Sequence, residues 1–239
     1  MTVDTSPGAL TEATWPPARR WPLGPFTVRD GQGGGKRVSA ATVSGAFTGP
    51  DIEQAEHAMS ELGQPKLFMI LPGDATLDAA LDKRGYAIID PVIMYRMDTN
   101  DLAARSLPPI SAFAHWPPLE ITADIWRAAG IGPERQAVMT RPVGPKTAIL
   151  ARSDDRPSGV AFGAIHEKTA MFHAVEVIPA LRRRKAAVNM MVRGARWAQD
   201  NRATEIAVLC VEANMGARAL YEHLGFAPVG RYHYRQKTT

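Results

Sequence analysis

The sequence predicts an α/β protein with a mixed central sheet, helices on both faces, and two similar halves in tandem. Three observations predict this. Apolar runs of strand length alternate with stretches of helical periodicity along the chain. "DATLDAALDKRGY" (74–86) and "NMGARALYEHLGF" (214–226) share one shape, a short helix stopped by Gly and an aromatic residue. The two units lie a constant 140 residues apart: the same shift pairs Gly85 with Gly225, Asp74 with Asn214 and Ala55 with Ala195, and lays "KLFMIL" on "IAVLCV".

Residues 1–20 are rich in Pro, Ala and Thr without periodicity and are expected to form a flexible arm. The first half, 21–98, opens with "PFTVRD" (25–30) and "KRVSAATV" (36–43), which read as strands around the turn "GQGGG". "DIEQAEHAMSEL" (51–62) is a helix with Asp51 as its N-cap, and "KLFMIL" is a short buried strand. Asp74 caps the next helix, whose apolar face is Leu77, Ala80 and Leu81 and which Gly85 closes. "YAIIDPVIMYRMD" (86–98) returns as strand, and the Pro- and Ser-punctuated stretch 99–118 reads as a linker. The second half, 119–239, begins with helical "LEITADIWRAAG" and "PERQAVMTR". Three strands follow, "KTAILARS", "SGVAFGAIH" and "TAMFHAVEVI", the first two joined by a hairpin turn. "RRRKAAVNMMVRGARWAQDN" is a long helix with its apolar face on Ala187, Met190, Met191, Gly194 and Trp197 or Ala198. Strand "EIAVLCV", helix "MGARALYEHL" and strand "APVGRYHYRQK" complete the chain.

With 45% hydrophobic and 22% charged residues in 239, the chain is in the globular range and can bury a sizeable core. It has no uncharged apolar run of about 18 residues, so no membrane span is expected. The N-terminus lacks a basic segment followed by an apolar one, which argues against a secretory signal and for the cytoplasm. The single cysteine, Cys210, sits in an apolar run and reads as a buried thiol. With no ligand spacing among the six His residues, no metal is expected. A net charge of +4 favours an anionic ligand. It is far from the dense basic face of a nucleic-acid binder, and no aromatic residues interleave "RRRK".

Two motifs carry chemistry. The strand running into "VIPALRRRKAAVNMM" resembles the Val-x-Pro and Arg/Gln-x-x-Gly-x-Gly/Ala segment of the GNAT (GCN5-related N-acetyltransferase) superfamily. "NMGARALYEHLGF" is similar to that family's Asn-x-x-Ala-x-x-x-Tyr-x-x-x-Gly-Phe pattern. The resemblance is clear over 120–237 and faint over 25–98. By itself, a strand turning into a helix leaves unpaired N–H groups and the positive dipole end at the helix start, an anion site. The resemblance implies that this loop, Arg182, Arg183, Arg184, Lys185, Ala186 and Ala187, cradles the pyrophosphate of acetyl-CoA, used as a cosubstrate. Lys185 departs from the family's Gly. If the position needs positive φ, Lys is unfavourable there; if it is helical, the charge can contact phosphate.

The resemblance further implies that Asn214 and Ala217 border the coenzyme arm, that the main chain at Val175 and Val177 pairs with the pantetheine amides, and that Tyr221 protonates the departing thiolate. Glu176, His173 or a water is the candidate base; strand alternation puts Glu176 and His173 on opposite faces. In the first half Leu81 stands where Tyr221 stands and "TVSGAF" where "RRRKAA" stands, which reads as a degenerate, non-catalytic GNAT-like copy. The function implied is N-acetyl transfer to a primary amine, on a small molecule or a protein, by direct attack in a ternary complex. The alternative is a non-enzymatic acyl-CoA-binding regulatory protein. Neither nucleic acid nor membrane is an expected partner, and a homodimer is compatible with this reading.

Overall fold

The computed structural model describes residues 7–237. In chain order these form α1 (Pro7–Thr14), β1 (Arg19–Leu23), β2 (Phe26–Asp30), α2 (Lys36–Ser39), β3 (Thr42–Val43), α3 (Gly49–Glu61), β4 (Leu67–Ile70), α4 (Ala75–Asp82) and β5 (Tyr86–Asp98). Next come α5 (Thr99–Ala103), β6 (Ala112–His115), α6 (Glu120–Ala128), α7 (Pro133–Val138), β7 (Lys146–Ser153), β8 (Arg156–His166) and β9 (Thr169–Val177). A 3-10 turn at Pro179–Leu181 leads into α8 (Ala186–Asp200), then β10 (Glu205–Val211), α9 (Met215–His223) and β11 (Ala227–Lys237).

The fold is mixed α/β. One eight-stranded sheet runs β4-β11-β5-β10-β9-β8-β7-β6, and a three-stranded sheet, β1-β2-β3, is joined to it by a parallel bridge from Ala41 to Phe68. The 140-residue shift has a structural counterpart: it carries β4–α4–β5 onto β10–α9–β11. The two units interlock, because β11 lies between β4 and β5 while β5 lies between β11 and β10. Antiparallel pairing runs from Tyr86 with Lys237 to Arg96 with Ala227, so each unit supplies the strand that fills the other's gap.

Helices α3 and α4 cover one core, where Phe26, Ile52, Phe68, Leu77 and Leu81 are buried. Helix α8 covers a second, around Phe172, Met190, Met191 and Ala195. The Phe172 ring explains a helical glycine: a Cβ at Gly194 would come within 2.5 Å of it, and one at Gly163 within 2.6 Å. On the opposite face α6 and α7 bury Trp126 and Val138 against Leu150, Val160 and Phe162. At roughly 25 cal/mol per Å² of apolar surface, these faces supply the main folding free energy.

Several expectations need correction. Of the arm, residues 1–6 lie outside the described residues, but residues 7–14 form α1, where Leu10 packs on Met94, Met171 and Ala207. Arg19–Leu23 is a strand, and of 36–43 only Thr42–Val43 is. The capping box of α3 starts at Thr48, with Asp51 three residues inside accepting from the Thr48 N–H at 2.7 Å. The stretch 99–118 holds α5 and β6 rather than a bare linker. Its backbone is tied down: Arg196 donates to the Ala103 and Arg105 carbonyls at 3.2 and 2.9 Å, and Arg105 donates to that of Leu224 at 2.8 Å. Polar loop composition concealed these anchors, since they come from residues distant in sequence.

Candidate active site

The site begins where two parallel strands part. β9 and β10 pair only from Thr169 with Glu205 to Phe172 with Val208, yet continue to Val177 and Val211. A β-bulge lies at the fork: the β8–β9 register jumps from Phe162↔His173 to Val160↔Glu176, and Ala174 takes φ 50. Trp126 Nε1 donates to the Ala174 carbonyl at 2.9 Å and holds the bulge in place. Beyond the bulge, the β10-facing edge of β9 has no strand partner, so its backbone is open to an extended ligand. The opening is a groove of about 850 Å³ with Val175, Glu176 and Val177 on one wall.

The floor of the groove is the start of α8, with Arg182, Arg183, Lys185, Ala186 and Ala187 lining it. Lys185 is the N-cap in the left-handed region, φ 63 and ψ 8, and Arg183 also has φ 63. Lys185 thus keeps the backbone shape a glycine would supply, at a strain of about 1–2 kcal/mol for an L-residue. No side chain caps α8, so the first-turn N–H groups of Ala186, Ala187 and Val188 open onto the groove among basic side chains. Arg184 lies apart from the groove lining and pairs with Asp154 on the β7–β8 turn. The donor set fits a pyrophosphate.

Helix α9 forms the other wall. Asn214 caps it, its side-chain oxygen accepting from the Ala217 N–H at 3.1 Å, which leaves the amide NH₂ to face a ligand. Asn214, Ala217 and Tyr221 all line the groove, as their helical spacing predicts. Tyr221 is only 4% exposed and packs between Tyr95 and Phe226, at centroid distances of 6.0 and 5.6 Å. Burial first, then Cys210 and Glu176, push its hydroxyl well above the usual phenol value, so it stays protonated.

The bulge changes how the two candidate bases lie. One extra residue on β9 resets the alternation, so His173 and Glu176 share a face where strict alternation separates them. Their surroundings differ. His173 is 3% exposed; its Nδ1 accepts from Arg37 at 2.9 Å and its Nε2–H donates to Thr14 Oγ1 at 2.9 Å. Burial, then Arg37, hold its pKa well below 6.5. A neutral ring with both nitrogens engaged cannot take a substrate proton. Glu176 instead borders both the groove and a second cavity of about 440 Å³ lined by Ile125, Ala128, Ala129, Ile178 and Pro179. Burial raises its carboxyl above the usual range, with Arg135 and Arg182 opposing. Sequence reasoning missed this cavity, Arg37 and Arg135, because α2 and α7 meet β9 only through tertiary packing.

Residues 114–226 match the model of the acetyltransferase (GNAT) family. The chain carries a GNAT acetyltransferase domain. It is 25% identical to the uncharacterized N-acetyltransferase YobR of Bacillus subtilis (strain 168), over 95% of this chain and 96% of that one. Its fold is similar to a GCN5-related N-acetyltransferase from Kribbella flavida, with a TM-score of 0.69, 17% identity, and 95% and 92% of the two chains covered. It is also similar to a tandem GNAT protein from the clavulanic acid biosynthesis pathway, with a TM-score of 0.61, 14% identity, and 82% and 74% covered. The protein is accordingly an acyltransferase of the N-acetyltransferase kind. GNAT enzymes use acetyl-CoA as cosubstrate and act on amines. No helix among the described residues is long and apolar enough to cross a membrane, and no described group of His, Cys, Asp or Glu is placed to hold a metal.

Proposed function

We propose that the C-terminal half transfers an acetyl group from acetyl-CoA to a primary amine by direct attack in a ternary complex, and that the N-terminal half is a degenerate, non-catalytic copy. The observation that carries this is the position of Glu176, on the border between the groove and the second cavity. A base there reaches an amine on one side and a thioester on the other. The bound coenzyme supplies the acetyl group and a thiol leaving group. The start of α8 binds phosphate through N–H groups and the Arg182, Arg183 and Lys185 charges. The open edge of β9 aligns the pantetheine arm. Glu176, raised above the usual carboxylate range by burial, accepts the amine proton directly or through water. Tyr221 stays protonated and donates to the departing sulfur.

The test is thiol release from acetyl-CoA over a panel of amines, with calorimetry of coenzyme binding. Charge reversal at Arg182 and Arg183 should weaken binding more than reversal at Arg184, and added salt should shrink the difference. Tight binding without acetylation of any amine would favour the regulatory alternative.

A further inference from the structure

The second cavity, of about 440 Å³, falls within the roughly 300–1,000 Å³ of small-molecule sites, and its lining is mostly apolar. Helix α6 contributes Ile125, Ala128 and Ala129, and β9 with the turn after it contributes Val177, Ile178 and Pro179. The same helix carries Trp126, whose hydrogen bond to the Ala174 carbonyl holds the bulge. One element thus sets both a cavity wall and the placement of Glu176.

The main chain around this cavity is largely spent on itself. Helix α6 ends in a Schellman motif: Gly130, at φ 80, donates to the Arg127 carbonyl at 3.1 Å, and Ile131 donates to that of Trp126 at 2.8 Å. The Ala129 N–H goes to the Ile125 carbonyl at 3.1 Å, and Gln136 Nε2 donates to the carbonyls of Ala123 and Ile131 at 3.1 and 2.8 Å. On the β9 side, the N–H groups of Ile178, Leu181 and Arg182 go to the carbonyls of Ser158, Ile178 and Pro179. The polar side chains of the lining are Asp124, Glu176 and Arg182, all charged. Asp124 is paired with Arg127. Arg182 also lines the coenzyme groove, where phosphate claims it, and Glu176 stands on the border of both spaces. Hydroxyl groups on an acceptor would lose water and find few partners against these walls. A carboxylate on it would meet Asp124 and Glu176, two charges of its own sign. An apolar body gains by leaving water.

We infer that the acceptor is a small hydrophobic amine, a primary amine on an alkyl or aryl body, with that body against α6 and Pro179 and its nitrogen at Glu176. This rests on the reading of Glu176 as the acceptor-side base. It makes Ala128 and Ala129 specificity-determining, because their small side chains leave the room that the body fills.

The experiment uses the full chain and matched amines: the alkylamines from propylamine to heptylamine, 2-phenylethylamine beside phenylalanine, glucosamine, spermidine and a lysine peptide. Turnover is read by thiol release from acetyl-CoA, and binding by calorimetry with coenzyme A present. Along the alkylamines kcat/KM should rise roughly fourfold per methylene until the cavity is full. 2-Phenylethylamine should exceed phenylalanine by tenfold or more, and its binding should carry the negative heat-capacity change of buried apolar surface. Ala128→Trp should raise the KM for 2-phenylethylamine at least tenfold and leave the acetyl-CoA KM in place. Ala129→Trp gives a second reading, and both alanines are exposed, so the fold accommodates either change. A flat alkylamine series, preference for phenylalanine, glucosamine, spermidine or the lysine peptide, an unchanged 2-phenylethylamine KM in both Trp variants, or no amine bound at all overturns the inference. Binding that follows the expected order without thiol release would instead overturn the acetyl-transfer reading and leave the cavity's selectivity standing.

Discussion

The two helix–strand–helix–strand repeats of this chain, α3 to β5 and α8 to β11, share one shape and differ at two helices. At α8 the helix start is uncapped by any side chain and surrounded by basic residues. At α3, its counterpart, Thr48 and Asp51 close the helix start in a capping box, and the carboxylate of Asp51 stands where an anion would bind. At α9 Tyr221 lines a groove; at α4 the corresponding Leu81 is fully buried in a core with Leu77 and Phe68. The same backbone thus serves as a site or as packing according to a few side chains. The copy with the capped α3 and an apolar α4 face keeps a structural task, because its β5 fills the gap in the other unit's strands.

The comparison is sharpened most by removing the proposed base. Glu176→Gln should lower kcat by about 10²–10⁴-fold, with packing little altered. In the unaltered protein, kcat/KM should fall as pH drops through the raised Glu176 pKa, so the acid limb lies above the ordinary Glu value of about 4.3. The variant should lose that limb; an unchanged limb would assign it to another group.

Tyr221→Phe should cost about 10²-fold in kcat with the acetyl-CoA KM unchanged, because the interaction forms in the transition state. Leu81→Tyr should restore nothing, since its neighbours are core and α3 offers no phosphate site. Full turnover by Tyr221→Phe on a confirmed substrate would remove the acid from the mechanism.

Lys185→Gly should separate fold from binding. Relief of the left-handed strain, less the added freedom of the unfolded chain, should stabilise by about 0.5–1 kcal/mol, or ~2–4 °C in Tm. Coenzyme affinity should fall with the lost charge. A lower Tm would show that Lys185 makes a compensating contact.

The smallest effect is expected at the capped helix. Asp51→Ala should destabilise slightly and leave coenzyme affinity alone. Hydrogen bonds from Thr48 lower the Asp51 pKa, so its contribution is full at neutral pH and is lost as pH falls through that lowered value. A gain of coenzyme binding by the first half would show that the capping box alone had silenced it.

What the sequence determined by itself were the features written in local periodicity and in motifs. The α/β alternation, the 140-residue repeat, and the groove-lining set from Val175 to Tyr221 are of this kind, because helical and strand spacing fixes which neighbours share a surface. What only the tertiary structure decided depends on elements far apart in the chain. Strand exchange between β5 and β11 made one sheet of two units, and long-range anchors turned 99–118 into α5 and β6. The bulge at Ala174, held by Trp126, set Glu176 on the same face as His173. Arg37 and Thr14 then closed the His173 nitrogens, from 136 and 159 residues away. Periodicity carries no record of such contacts, since a one-residue bulge or a packed loop changes side-chain direction without changing composition.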